Sequence, residues 1–202
     1  MYLSKIVRMK MILLILAVVA ASLTAYALFV NNDNDSIEEY DYVIENKQGP
    51  IEIRRYNACY FNTVNLPRKN YSDNASGGFR ILAGYIFGGN DEQRKIAMTS
   101  PVVMEMDSQV KMKFMVPKSE NIDQLPKPND SRVNLEYTKA KRVAIIGFGG
   151  WANDVKIEKH VNRLKDWLDE NQMSYNSGYS FMGYNPPYQL IGRRNEIMID
   201  LD

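Results

Sequence analysis

The sequence predicts an α+β domain built from two similar halves and preceded by an apolar N-terminal helix. Three observations carry this reading. Residues 11–30 contain no charge and follow three cations, Lys5, Arg8 and Lys10. Strand-like and helix-like patterns then recur in the same order, across 51–116 and again across 133–201. The composition is that of a globular chain, with 45% hydrophobic and 24% charged residues over 202 positions, enough for one ordinary domain and an appendage.

The N-terminal run, MILLILAVVAASLTAYALFV, spans roughly 30 Å as a helix at 1.5 Å per residue, the thickness of a bilayer core. With cations before it and Asp33, Asp35, Glu38 and Glu39 after it, the positive-inside tendency places residues 1–10 in the cytoplasm. Everything beyond residue 31 then lies outside, so the chain reads as a single-pass membrane protein. The alternative is a signal peptide, with 11–23 as its apolar core and the small-x-small triplet Ala25-Tyr26-Ala27 as the cleavage site, leaving a secreted or periplasmic domain. No polar face exists in the run, which argues against a buried core helix. Residues 31–39, NNDNDSIEE, read as a polar linker, and 40–202 as the domain.

In the first half of the domain, 51–54 and 60–66 have strand character, 72–87 contains a helix, and 102–106 and 110–116 are strands. In 110–116, Val110, Met112, Phe114 and Val116 alternate with Lys111, Lys113 and Met115, so one face is apolar. The second half repeats the order: strands at 133–137 and 142–148, a helix at 154–171, and strands at 179–184 and 196–201. The second of these two helices is amphipathic, with Ile157, Val161, Leu164 and Leu168 in one stripe. The first is apolar nearly all round. Arg80 is its only charge between Gly78 and Gly89, so one side covers the sheet and the other needs a second cover. Gly88-Gly89 is its C-terminal stop.

The composition and motifs exclude several functions. Outside the N-terminal segment acids and bases nearly balance, which leaves no electrostatic footprint for nucleic acid. One cysteine, Cys59, permits neither an internal disulfide nor a cysteine cluster. One histidine, His160, gives a triad or a histidine metal site little to build on. Glu105 and Glu196 are strand residues read as facing solvent, and no carboxylate pair argues for an enzyme. Met98, Met104, Met106, Met112 and Met115 cluster as adaptable filling or a soft pocket wall.

Seven segments occur in the order found in the SOUL haem-binding family. They are 52–56 (EIRRY), 78–90 (GFRILAGYIFGGN), 95–102 (KIAMTSPV), 113–117 (KFMVP), 125–128 (LPKP), 148–150 (FGG), and the closing pair 184–187 (YNPP) and 193–196 (RRNE). The domain resembles that family over 40–202. The resemblance implies a distorted antiparallel β-barrel of two similar halves flanked by two helices. It also implies haem or a related tetrapyrrole as ligand, lying non-covalently in an apolar groove beside the first domain helix. Carried over residue by residue, the binding positions are Phe79, Arg80, Ala83, Gly84 and Phe87 on that helix, with Lys95 and Met98 beyond it. Arg80 and Lys95 would pair with propionates. With no histidine in the first half, ligation by histidine is not expected, and His160 is the alternative. The expected function is a membrane-tethered, extracytoplasmic haem-binding protein for buffering or transfer. The alternatives are a binder of another flat apolar ligand and a membrane-anchored protein-interaction domain.

Overall fold

The computed structural model describes residues 2–34, 37–67 and 70–202. The chain forms two units, Met1–Ile37 and Glu38–Asp202. In the first, α1 (Tyr2–Asn34) is one uninterrupted helix. Leu13, Leu14, Ile15 and Leu16 on it are all more than half exposed. Its polar residues cause no break, because Ser22 Oγ and Thr24 Oγ1 donate to the carbonyls of Val18 and Ala20, four residues back. Among the described residues, no helix is long and apolar enough to cross a membrane. The side chains of Ala25, Tyr26 and Ala27 lie outside the described residues, as do 35 and 36 within the expected linker.

The second unit carries nine strands: β1 (Tyr42–Gln48), β2 (Ile51–Tyr56), β3 (Cys59–Leu66), β4 (Val102–Met106), β5 (Val110–Met115), β6 (Val133–Thr138), β7 (Lys141–Gly149), β8 (Tyr179–Gly183) and β9 (Arg194–Asp200). Two α-helices join them, α2 (Tyr71–Ile86) between β3 and β4 and α3 (Asp154–Glu170) between β7 and β8. Each helix begins at an asparagine whose side chain accepts a backbone N–H of the first turn, Asn70 for Asp73 and Asn153 for Lys156. Asp154 Oδ1 also accepts the N–H of Tyr71 at 2.8 Å, which ties the two helix starts together.

The strands form one antiparallel sheet in the order β1-β2-β7-β9-β8-β4-β5-β3-β6. Setting β1 aside, this order is symmetric about the β8–β4 contact. The element order β2-β3-α2-β4-β5 recurs as β6-β7-α3-β8-β9, and each half lends its first strand to the other. Thus β2 pairs with β7, and β6 pairs with β3. The two halves of similar element order are therefore interlocked.

The expected barrel does not close. Strands β1 and β6 are free edges, and the sheet curls into an open half-barrel. The curl follows from the packing of its inner face. Tyr40 lies 4.4 Å from the ring of Tyr56 on β2 and 5.3 Å from that of Phe61 on β3, strands that five others separate in the sheet. Both faces are buried. On β7, Ala144 and Ile146 join the core beneath the helices, while Val143 and Ile145 join the inner one. Met115 likewise packs inward, and Lys113 is only 8% exposed, paired with Glu105 at 2.6 Å and Glu136 at 3.1 Å. Strand β1, which periodicity alone does not reveal, exposes Val43 and Ile44 and forms because a hairpin returns it to β2. The two-residue connection Gly49-Pro50 needs the positive φ of +59° that Gly49 supplies.

Glu196 does not face solvent. It is 3% exposed on the inner face and receives Arg54 through two bonds, Nη1 to Oε2 at 2.8 Å and Nη2 to Oε1 at 3.0 Å. Tyr184 donates its hydroxyl to Oε2 at 2.7 Å, and Arg194 Nε donates to Oε1 at 3.0 Å. Glu52 takes the remaining Nε of Arg54 at 2.7 Å. A charge this deep persists because each partner is paired and bonded. Burial pushes the Tyr184 phenol well above its ordinary range and that of Tyr56 to about 12.

Candidate functional site

Helix α2 uses its two sides differently. Gly78, Leu82, Tyr85 and Ile86 face the sheet. The absence of a side chain at Gly78 sets the approach, since a methyl there would stand 2.9 Å from Leu66 Cδ1 and 3.1 Å from Met112 Cε. Tyr85 donates its hydroxyl to the carbonyl of Pro126 at 2.9 Å. The other side carries Tyr71, Ala75, Ser76, Phe79, Arg80, Ala83, Gly84 and Phe87 at three- and four-residue intervals, one continuous stripe.

This stripe is one wall of a groove of about 740 Å³, within the roughly 300–1,000 Å³ range of small-molecule sites. The floor is Val102 and Met104 of β4, Met112 of β5 and Phe181 of β8. The far wall comes from two loops. Trp151 and Ala152 precede α3, and Asn185, Pro187 and Arg193 belong to the β8–β9 connection. Among the described residues, the only charges on the lining are the guanidinium groups of Arg80 and Arg193, and no carboxylate lines it. Arg80 is exposed and makes no ion pair among the described residues. Arg193 is half-buried. Its Nη1 donates to the carbonyls of Pro186 and Gln189, both at 2.8 Å, and its guanidinium stacks on Trp151 at 4.1 Å. Burial lowers its pKa from the ordinary value, but an arginine remains a cation at neutral pH. Burial likewise raises the Tyr71 phenol, which is therefore neutral. Gly84 faces open space: a Cβ built there meets nothing within 4 Å.

Five of the seven positions expected from the sequence, Phe79, Arg80, Ala83, Gly84 and Phe87, thus share one lining. Lys95 and Met98 lie outside it. Lys95 is exposed, its backbone bridged to that of Phe87, and Met98 packs against the core. The segment they belong to serves the fold. Ile96 is 2% exposed and its N–H donates to Ile86 O at 2.8 Å. Thr99 donates its hydroxyl to Met115 O at 2.7 Å, and Pro101 stands directly before β4. Asn90 is similarly structural, its amide donating to Tyr85 O and Arg94 O and its Oδ1 accepting from Arg94 N. His160 does not line the groove. Its ring stacks on Phe148 at 4.2 Å, and its Nδ1 lies 2.6 Å from Lys156 O. No group of three His, Cys, Asp or Glu side chains suited to a metal ion occurs among the described residues. A smaller cleft of about 290 Å³ at Glu105, Asp107, Lys141 and Asp200 is polar, and its lysine is already paired with Asp200 at 2.8 Å.

The far wall was not anticipated from the sequence. Its residues are distant in the chain from α2, and only the interlocked sheet brings them opposite it. Asn185, Pro187 and Arg193 nevertheless fall inside the closing motifs, and Trp151 directly follows the 148–150 motif.

Comparison with known proteins agrees with this architecture. The C-terminal domain of EcmrR superposes with a TM-score of 0.59 at 10% identity, covering 75% of this chain and 96% of that one, a likeness of fold alone. Heme-binding protein 1 of Xenopus laevis is 25% identical over 173 residues, covering 76% of this chain and 90% of its own. Heme-binding protein 2 of Homo sapiens is 26% identical over 160 residues, covering 75% and 78%. The family model described as SOUL heme-binding protein matches residues 37–200, the whole of the sheet and both of its helices. The chain therefore belongs to the SOUL haem-binding protein family.

Proposed function

We propose that this protein holds haem or a related tetrapyrrole non-covalently in the groove along α2, for buffering or transfer rather than catalysis. The observation that carries the reading is Gly84. A glycine inside a helix costs about 1 kcal/mol relative to alanine, and no atom of the described residues requires it here, since the space before it is open. A flat ligand lying against the helix backbone supplies a reason for it. The rest of the lining fits the same group. Phe79, Ala83 and Phe87 offer apolar contact, and Met104 and Met112 a polarizable floor. Arg80 and Arg193 offer cations to carboxylates at a ring's edge. When bound, the tetrapyrrole supplies whatever redox or optical chemistry the complex has, and the chain's residues seat, orient and shield it.

Affinity needs no histidine. Removing apolar area from water contributes roughly 25 cal/mol per Å², so a few hundred Å² gives several kcal/mol before association costs. The apolar run at 11–30 supports a membrane tether, with the domain outside the cytoplasm. The testing experiment is absorbance titration of the full chain, in detergent micelles, with ferric haem. The expected result is saturable one-to-one binding in the micromolar range that is weakened at least tenfold by Phe87→Asp. Equal binding by the Phe87→Asp chain, or none by the parent, overturns the reading.

A further inference from the structure

Trp151 is 50% exposed, although it is one of two tryptophans in the chain and stands on the wall of a groove. A large ring left in water beside a cavity marks a contact surface. The ring is also held. The guanidinium of Arg193 covers one indole face at 4.1 Å from the centroid. Three carbonyls of the β8–β9 connection fix that guanidinium in turn: Pro186 and Gln189 at 2.8 Å and Asn185 at 3.3 Å. A planar fork anchored at this many points sets the plane of the indole before any ligand arrives. On the α2 wall of the same groove stand two small residues, Ala83 and Gly84, the latter facing open space.

We propose that Trp151, backed by Arg193, is a stacking wall of this groove, receiving a flat aromatic anion of the porphyrin class between its indole and the Ala83–Gly84 strip of α2. The inference rests on the function proposed above and names the element that selects for ring shape and charge. The cation stacked on the indole draws on its π density, so the ring accepts an electron-rich partner more readily. The same cation adds positive potential to a lining with no carboxylate among the described residues, which favours anionic rings and disfavours cationic ones of equal size.

The test is titration of the full chain in detergent micelles with metal-free protoporphyrin IX, which removes any contribution of an iron ligand. Trp151→Leu should lower the affinity at least tenfold, and Trp151→Phe should keep it within about threefold of the parent. A tetracationic porphyrin of the same core should bind the parent at least tenfold more weakly than protoporphyrin. Thermal melts report folding, and the Phe variant and the cationic porphyrin decide the matter even if the Leu variant does not fold. Parent-like binding by Trp151→Leu, or equal binding of the two porphyrins, overturns the inference. If protoporphyrin binds the parent normally and is lost only in Phe87→Asp, the function stands and the stacking wall falls. If neither protoporphyrin nor haem binds the parent, both fall.

Discussion

Replacing Gly84 by alanine separates a helix held by its own packing from a helix kept open for a ligand. The position lies inside α2, its backbone is ordinary right-handed helix, and the added methyl meets nothing within 4 Å. The only term left is helix propensity, which favours alanine over glycine by about 0.8–1 kcal/mol. For a domain of this size that raises the melting temperature by about 2–4 °C. Gly78, six residues earlier on the opposite side, provides the control. There the methyl must displace the buried ends of Leu66 and Met112, at 2.9 and 3.1 Å. Overpacking of roughly 1–3 kcal/mol then consumes the same propensity gain. Circular-dichroism melts of the ligand-free chain should show Gly84→Ala more stable than the parent and Gly78→Ala no more stable. Gly84→Leu should also fold, because its side chain enters the groove and not the core. Its affinity for metal-free protoporphyrin should drop at least tenfold. A Gly84→Ala chain that melts below the parent, or a Gly84→Leu chain that binds like it, would show that the space before Gly84 is not the site.

The other predictions concern the buried charges, acid stability, the histidine and export. Glu196→Ala should destabilise by about 3–5 kcal/mol in urea unfolding, because it leaves Arg54 buried without its bidentate partner; a loss below 1 kcal/mol would refute the pairing as an organising contact. Stability should be flat above pH 5 and fall in acid. Burial pushes Glu52 and Glu136 up, but Lys47 with Arg54, and Lys111 with Lys113, more than offset it; the Ser72 hydrogen bond lowers Asp154. All three carboxyls therefore sit below unfolded values near about 4. Their stabilisation is present above those values and is lost as pH falls through the lowered ones, so urea midpoints rising between pH 5 and pH 3 would contradict it. His160→Ala should leave haem affinity within about twofold, its ring being stacked on Phe148 and outside the groove; loss of the haem spectrum in that variant alone would move the site to α3. A reporter fused after residue 40 should be active only outside the cytoplasm, and cytoplasmic activity would end the membrane-tether reading.

Much of this protein is determined within short stretches of the chain. The stripe Ile157, Val161, Leu164 and Leu168 specifies α3 and the side it buries, because helical spacing alone decides which residues share a face. The alternation around Met112 specifies β5, and the repeated element order predicts two similar halves. Apolar residues on nearly every side of α2 show that its second side needs a cover, though not what supplies it. Long-range pairing decided the remainder. Strand exchange between the halves, the open edges at β1 and β6, and the curl about Tyr40 depend on contacts among residues far apart in sequence, to which local periodicity is blind. Glu196 reads as a surface residue because alternation predicts two faces but not what covers the second; the curled sheet covers it, and Arg54 makes the burial tolerable. The far wall of the groove has the same origin. Trp151 and Arg193 stand opposite Ala83 and Gly84 only because β8 lies beside β4, and that pairing is a property of the folded sheet and of no single segment.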